Sequence, residues 1–533
     1  MTTSPYLRAA NQPPPLEGYD LFSQDRPLVE ALRREGAAAR EDECAAFGRL
    51  CGGEPLELGR FANENPPVLR RDDEVEFHPA WHQLLRIGVE HGLHAFPWDD
   101  SGSAPHVARA ARFMTLAYAE AGVGCPLSMT YAAVPALRHD AELAAVWMPL
   151  LAARAYDPEL RTGKTNALMG MSLTERQGGS DVRANETRAE PASEGYLLTG
   201  EKWFCSAPMC DTFLVLAQAP GGLTCFVLPR VLPDGTRNGF HLQRLKDKLG
   251  NRSNASAEIE LREAWAARLG EEGRGVATII EMVVHTRLDC VLGSAALMRR
   301  AVAEATHHAA HRVAFGRRLV EQPLHLNVLA DLCLDSEAAT ATALRLARAV
   351  DEDDRAFQRL ATTVAKYLVC KSTPALVAEA LECIGGNGYV EESPLPRIFR
   401  ESPLNSLWEG AGNVNALDLW RAAAREPESV DALLAEIELA AGADARLDAA
   451  LERLRRELGD GEEPEYRARS VAALAALCLQ GSLLVRHAPA EVADAFCATR
   501  LDTGGGRAHG TLPRGIDCAA IVERHRPRLS GCG

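Results

Sequence analysis

Residues 171–182 read MSLTERQGGSDV and decide how the middle of the chain folds. A short apolar run ends at Thr174, and the turn formers Gly178 and Gly179 follow shortly after it. Strand-forming residues that run into a Gly-Gly turn predict an exposed rim of backbone N–H groups and hydroxyls. Because glycine has no Cβ, a flat cofactor or a phosphate can approach such a rim closely. Taken alone, the stretch is more typical of an ordinary hairpin turn, and it is neither a G-x-G-x-x-G nor a Walker loop.

Composition limits the classes of function. The chain has 533 residues, a net charge of −15 and 47% hydrophobic residues, which suggests about three or four domains with substantial cores. A general attraction to nucleic acid or membrane is not expected at this charge, so any such contact needs a local basic patch. The 14 cysteines are scattered without C-x-x-C or His/Cys ligand spacing. They predict buried free thiols, no disulfide and no structural metal.

The N-terminus lacks a charged-then-apolar signal pattern. No apolar run stands out as long enough to span a bilayer. These two observations predict a cytoplasmic protein without a membrane partner.

The chain changes character along its length. Ala-rich helical patterns fill its first part, short β-rich runs separated by Pro and Gly turns follow, and a long apolar periodicity without proline covers residues 279–314. Further amphipathic patterns follow beyond Arg421. We therefore predict an α+β multidomain protein with a helical domain (1–168), an antiparallel β domain (169–265), a helical bundle (266–428) and an extra helical domain (429–533).

Two further stretches make the first one more informative about function. Residues 200–207 read GEKWFCSA and residues 407–414 read LWEGAGNV. In this order and at these separations, the three stretches resemble the acyl-CoA dehydrogenase family of flavoproteins, whose motifs read L-T-E-P-x-x-G-S-D, G-x-K-x-W-I-T and aromatic-Glu-Gly. The resemblance covers roughly residues 79 to 421. It implies that family's fold, with a four-helix bundle after the β domain, and a bound FAD.

The resemblance also implies which residues meet the cofactor. Phe204 aligns with the tryptophan that packs against the flavin, and Ser206 aligns with a hydroxyl residue near the flavin edge, whereas Trp203 is expected in the core. The R-x-x-F-G and Gly-rich motifs meet the FAD of a neighbouring subunit in this family, so the resemblance implies at least a dimer and commonly a homotetramer. Arg312 taken alone also suits a helix C-terminus. The implied cofactor-binding residues are Met171, Ser172, Leu173, Thr174, Ser180, Phe204, Cys205, Ser206, Arg312, Phe315, Gly385, Gly386, Trp408 and Asn413.

Glu409 is the candidate catalytic base. Oxidation of an acyl thioester needs a base at the α-carbon and a hydride acceptor at the β-carbon. The family places its base either in the aromatic-Glu-Gly motif or on the long helix. The helix position here is Thr286, which has no carboxylate, so Glu409 alone fits. A solvated glutamate before a glycine turn is the alternative reading.

A narrower resemblance covers nearly the whole chain. Residues 246–256 (KDKLGNRSNAS) are more polar than usual in the family, and about 110 residues follow Arg421. Both features look like the AidB branch, which comprises flavin-containing proteins of the adaptive response to DNA alkylation. This resemblance implies sequence-independent binding of double-stranded DNA and at most weak isovaleryl-CoA dehydrogenase activity. The alternative is a catabolic dehydrogenase of short or branched acyl-CoA with an added oligomerisation domain.

The C-terminal tail carries a local excess of arginine. Residues 500–528 have a balance of +3 within the acidic chain. Arginines beside a run of glycines suit phosphate contact without base readout. A solvated domain that caps the oligomer is the competing interpretation. The predicted DNA-binding residues are Arg421, Arg500, Arg507, Arg514 and Arg524.

Overall fold

The computed structural model describes residues 11–502, 506 and 508–529, and the chain divides into two compact units. Unit 1 comprises Met1–Gly53, Val291–Ser406 and Asn415–Gly533, and unit 2 comprises Glu54–Cys290 and Leu407–Val414. Arg507, one of the predicted DNA contacts, lies outside the described residues.

Helices dominate both ends of the chain, and strands occupy its middle. The α-helices are α1 (Arg26–Leu32), α2 (Glu41–Cys51), α3 (Glu54–Glu64), α4 (Pro79–Glu90), α5 (Pro105–Ala119), α6 (Gly124–Leu137), α7 (Ala141–Ala152), α8 (Gly275–His311), α9 (Pro323–Asp351), α10 (Arg355–Ile384), α11 (Gly386–Tyr389), α12 (Leu395–Glu401), α13 (Gly412–Arg425), α14 (Glu428–Glu438), α15 (Ala445–Gly459), α16 (Pro464–His487), α17 (Ala490–Phe496) and α18 (Cys518–His525). The strands are β1 (Val68–Leu69), β2 (Val75–Glu76), β3 (Met169–Ser172), β4 (Arg188–Pro191), β5 (Tyr196–Ser206), β6 (Thr212–Ala219), β7 (Gly222–Pro229), β8 (Phe240–Leu245), β9 (Ser256–Leu269), β10 (Val313–Ala314) and β11 (Arg317–Arg318).

The middle strands of unit 2 close into a small barrel. The hydrogen-bonded order runs β6-β4-β5-β9-β7, and β7 pairs with β6 again, while β3 pairs with β6 and β8 pairs with β9. Closure satisfies the backbone groups that an open sheet would leave at its edges. The α+β prediction is confirmed. The β region is not purely antiparallel, because β3 and β4 both run parallel to β6.

The long helices of unit 1 form its core. Helix α9 packs against α10, and the later helices α14 and α16 pack on this pair, so the C-terminal helices belong to the same compact unit as the bundle. The predicted long helix ends at His311 and not at residue 314. A two-residue hairpin turn, Phe315-Gly316, follows between β10 and β11, with φ of +53° and +79°. Positive φ at both positions is what this kind of tight hairpin requires.

Helix α16 corrects an expectation about membranes. Its 24 residues are long and apolar enough, by length and composition, to cross a bilayer, although we expected no such run. In the folded chain 72% of its most apolar window is buried. The helix therefore serves as a core element of unit 1, packed against α9, α10 and α15.

Candidate functional site

The first two motifs are fastened together in unit 2. Trp203 N donates to Thr174 O at 2.8 Å, and Lys202 Nζ donates to Glu175 Oε1 at 2.6 Å and to Leu216 O at 2.7 Å. Both charged side chains of this ion pair are buried. Burial lowers the pKa of Lys202 to about 8, and the Glu175 carboxylate opposes that shift. The pair locks the TERQGG turn against β5.

An aromatic face stands exposed at the end of β5. Phe204 has a φ of +55°, and 58% of its surface is accessible. A left-handed backbone is uncommon for a bulky residue and costs on the order of 1–3 kcal/mol, so the surrounding strands must enforce it. The side chain is thereby exposed to solvent, which suits the flat ring predicted to pack on it. Ser180 is likewise exposed, and Ser206 is half-buried.

Trp203 does not lie in the core, which corrects the sequence interpretation. It is half-buried, with Lys246 Nζ 3.7 Å and Arg176 Cζ 5.4 Å from its ring centroid. Cations on an indole gain energy from its electron-rich face while keeping contact with water. The tryptophan is thus a surface platform beside Phe204.

Asn254 is a site residue that the sequence reasoning missed. Its side chain is buried, and no nitrogen or oxygen atom of the described residues pairs with its amide. It lies within hydrogen-bonding reach of the Cys125 thiol, and that thiol is in turn close to Ser206 and within electrostatic reach of Glu409. Burial raises the pKa of Cys125 to about 12, so this thiol stays protonated. The unusual polarity of KDKLGNRSNAS was the available signal.

The unpartnered polar atoms test the fit of a cofactor. Buried amides and hydroxyls without partners are rare, because leaving them unpaired costs about 1–3 kcal/mol each. Ser172 Oγ, in the first motif, is buried and likewise has no nitrogen or oxygen partner in the part of the chain that the structure describes, although the Cys205 thiol lies within hydrogen-bonding reach. Together with the exposed Phe204 face, these groups fit a flat ring with a polar edge, such as the isoalloxazine of FAD.

Glu409 is held from two neighbouring positions on α8. Thr286 Oγ1 donates to Glu409 Oε2 at 2.7 Å, and Arg287 Nε donates to the main-chain oxygen of Glu409 at 3.0 Å. Glu409 has a φ of +58° and Gly410 follows with +93°, so the carboxylate lies on a tight left-handed turn. The two alternative base positions therefore meet, and Thr286 and Arg287 support the carboxylate. Trp408 is half-buried and Asn413 is exposed on the same segment.

A rigid polar wall continues along α8 from Thr286. Asp289 accepts two hydrogen bonds from Arg109, at 2.6 and 2.8 Å, with both side chains buried. The Arg109 guanidinium lies 3.6 Å from the ring centroid of Tyr131. His285 packs edge-on against Tyr131, at 5.6 Å between ring centroids. This buried cluster is aromatic and charged, and its members on α8 lie within four residues of Thr286.

The other implied cofactor residues lie in unit 1. Phe315 at the hairpin tip is 98% exposed, and Gly385 and Gly386 are exposed at the start of α11. Arg312 Nη1 donates to Asn11 O at 2.7 Å. These groups share one unit with each other and not with Phe204 or Glu409, which belong to unit 2.

Two predicted DNA contacts are committed to internal ion pairs. Arg500 pairs with Asp331 and Asp335 on α9, and Arg524 pairs with Glu30 and Glu337. A guanidinium that already bridges two carboxylates is poorly placed to bind phosphate, which favours the exposed arginines over these two as DNA contacts. Arg421 and Arg514 are exposed. Among the described residues no group of three His, Cys, Asp or Glu side chains could hold a metal ion.

Comparison with known protein families defines the class. The acyl-CoA dehydrogenase middle and C-terminal domains match residues 170–264 and 273–424, and the adaptive response protein AidB N-terminal domain matches residues 11–158. The chain belongs to the AidB branch of the acyl-CoA dehydrogenase family, whose cofactor is FAD.

Individual relatives agree with this membership. The putative acyl-CoA dehydrogenase AidB of Escherichia coli (strain K12) is 46% identical over 93% of this chain and 94% of its own. Acyl-CoA dehydrogenase family member 11 of Caenorhabditis elegans is 32% identical over 74% of this chain and 69% of its own. The crystal structure of C. elegans ACDH-11 in complex with C11-CoA superposes with a TM-score of 0.84 at 27% identity, covering 94% of this chain and 96% of that one.

Proposed function

We propose that this oxidoreductase removes two hydrogens from an acyl-CoA thioester, with Glu409 as the base. The observation that carries the proposal is the hydrogen bond from Thr286 to the Glu409 carboxylate, which fixes one oxygen and orients the other. Glu409 takes the proton from the α-carbon. Bound FAD supplies the acceptor for the hydride from the β-carbon. Ser172, Ser206, Phe204 and Asn254 are proposed to hold the flavin ring.

Loss of the flavin absorbance on adding acyl-CoA without oxygen tests the proposed base. Glu409→Gln keeps the shape of the side chain and removes its basicity, so reduction should slow by about 10²- to 10⁴-fold. Glu382→Gln, an exposed glutamate of unit 1, is the matched control. Reduction of the Glu409→Gln protein at the parent rate would show that another group is the base.

We propose a short or branched acyl group as substrate, oxidised slowly. The buried, charged and aromatic cluster around Arg109 and Asp289, which meets α8 close to Thr286, supports a short acyl group, because it leaves less apolar surface near the base for a long chain to contact. Isovaleryl-CoA and lauroyl-CoA should therefore reduce the flavin at different rates, with isovaleryl-CoA faster. A faster reaction with the long chain would contradict this proposal.

We also propose that the protein binds double-stranded DNA without sequence preference, as part of a cytoplasmic response to alkylation. Its support is the AidB relationship along nearly the whole chain, together with the exposed cations Arg421 and Arg514. Arginine contacts to phosphate carry no base readout. A homotetramer would present each cation several times and offset the acidic background by multivalency. The exposed Phe315 supports an oligomer.

Point substitutions test DNA binding better than deletion of the extra domain. Removal of residues 429–533 would strip the buried carboxylates of α9 of their partners and damage the bundle itself. Arg421→Ala with Arg514→Ala should weaken binding to any duplex sequence and reduce the salt slope by about one per lost phosphate contact. Arg355→Ala, an exposed arginine paired with Asp353, is the control. Unchanged affinity and slope would refute this surface.

A second candidate is a catabolic dehydrogenase in which the added domain only caps the oligomer. The internal pairing of Arg500 and Arg524 favours it, because the tail then serves to fasten helices. A salt-dependent DNA mobility-shift assay, run alongside an acyl-CoA turnover assay, distinguishes the two candidates. Rapid turnover without a shift would select the catabolic enzyme.

A further inference from the structure

A short N-terminal segment ties together the two unit 1 motifs that the sequence relates to a neighbouring cofactor. We call residues 11–14 (NQPP) the strap. Asn11 Oδ1 accepts from Val313 N, and Asn11 Nδ2 donates to Val313 O, both at 2.7 Å. The side-chain amide thus pairs with both backbone groups of Val313, in the way that a neighbouring strand would.

The strap also holds the arginine of the hairpin motif. Arg312 Nη1 donates to the main-chain oxygen of Asn11 at 2.7 Å. At the far end of the strap, His307 Nε2 donates to Pro14 O at 2.8 Å. Asn11 therefore restrains Arg312 in two ways. Its side chain binds the backbone of the next residue, Val313, and its main-chain oxygen binds the Arg312 guanidinium.

The middle of the strap reaches the Gly-rich motif. Asn387 Nδ2, on α11, donates to Gln12 Oε1 at 2.9 Å. Prolines at positions 13 and 14 offer no backbone N–H and hold an extended conformation, so ordering this segment costs little conformational entropy. The strap is a stiff spacer that sets the hairpin at one distance from α11.

The identity of residue 11 follows from its conformation. Asn11 has a φ of +69°, which asparagine and glycine tolerate much better than other residues. Only asparagine combines that backbone with an amide that donates and accepts. Glycine keeps the conformation and loses both hydrogen bonds, which makes Asn11→Gly a clean probe.

We infer that Asn11 is a positioning residue for cofactor binding, which it serves by fixing the orientation of Arg312 at the hairpin. This inference rests on the proposed role of Arg312 toward the FAD of a neighbouring subunit. A flexible arginine loses more conformational entropy on binding a pyrophosphate than one already held in place. Asn11 itself need not touch the cofactor.

The experiment measures FAD affinity and folding stability on the full-length protein. Asn11→Gly should weaken FAD binding by ~10-fold, the effect of losing about one to two surface hydrogen bonds that order the site. The urea midpoint of the apoprotein should stay at the parent value. Asn65→Gly is the control, because Asn65 is an exposed asparagine whose amide also donates to a backbone oxygen.

A double-mutant cycle with Arg312→Ala completes the test. If Asn11 acts through Arg312, Asn11→Gly should add almost nothing in the Arg312→Ala background. The inference is overturned if Asn11→Gly binds FAD like the parent, if the two effects add, or if the apoprotein midpoint falls along with FAD affinity. If Arg312→Ala alone leaves FAD affinity intact, the proposed role of Arg312 fails instead, and the strap inference fails with it.

Discussion

Substitution of Arg500 tests whether this arginine stabilises the packing of the C-terminal segment on α9 or serves as a surface cation. Its guanidinium lies between Asp331 and Asp335, one turn apart on α9, with Nη2 2.9 Å from Asp335 Oδ1. The Asp331 side chain is only 3% exposed. Arg500→Gln removes the positive charge and leaves two carboxylates close together in a region with little water. We therefore expect the substitution to loosen the C-terminal segment from α9.

The remaining contacts set the size of the effect. Removing one partner of a buried ion pair typically costs about 3–5 kcal/mol. Gly510 N still donates to Asp331 Oδ2 at 2.8 Å, and His509 Nε2 still lies 3.2 Å from Asp335 Oδ2. These contacts place the cost at the lower end, about 3 kcal/mol, which corresponds to a roughly hundredfold rise in local opening.

Native-state hydrogen exchange measured by mass spectrometry provides the assay. Peptides that cover α17 and α18 should exchange roughly a hundredfold faster in Arg500→Gln, while peptides of the barrel keep their rates. Arg355→Gln, which breaks the exposed pair with Asp353, should leave all peptides unchanged. Unchanged exchange at α17 and α18 combined with weakened DNA binding would show that Arg500 is a surface cation after all.

Three further outcomes follow from the buried polar groups. Thr286→Val should slow flavin reduction about tenfold at unchanged FAD affinity, because it loses the hydrogen bond to the candidate base. Thr286→Ser should restore the rate. A valine variant as fast as the parent would show that Thr286 does not assist Glu409. Burial disfavours the charged form of His525, but Cys333 and the Glu337 carboxylate beside it raise its pKa to about 10. Its stabilisation is therefore complete below pH ~6.5 and is lost as the pH rises toward that value. Urea unfolding of His525→Gln should lack this alkaline decline, and a decline identical to that of the parent would contradict it. Lys202→Met should lower the unfolding free energy by about 3 kcal/mol, because it leaves the buried Glu175 carboxylate without a counter-charge. Adding Glu175→Gln should recover most of this loss. A double variant as unstable as the single one would show that the unpaired charge is not the cause.

Local patterns determined the class of fold and predicted the location of the candidate base. The β-rich runs lie within β5 to β9, because alternating strand formers between Pro and Gly turns have few other ways to fold. The choice between positions 286 and 409 needed only residue type, since threonine has no carboxylate to offer. The helix limits were less accurate. The long helix ended at His311 because a tight hairpin follows. The amphipathic pattern beyond Arg421 is divided into α14 and α15 near Gly442, which has a φ of +78°.

Tertiary structure alone decided which polar groups are available to a ligand. In sequence, Arg500 and Arg514 look alike, as members of one basic tail. In the fold Arg500 meets Asp331 and Asp335, about 165 positions earlier, while Arg514 stays exposed. The position of the buried Asn254 amide beside the Cys125 thiol and the hydrogen bonds of Asn11 to Val313 are likewise set by residues remote in the chain. Ion pairs and desolvation depend on distance in space, so no local pattern records them.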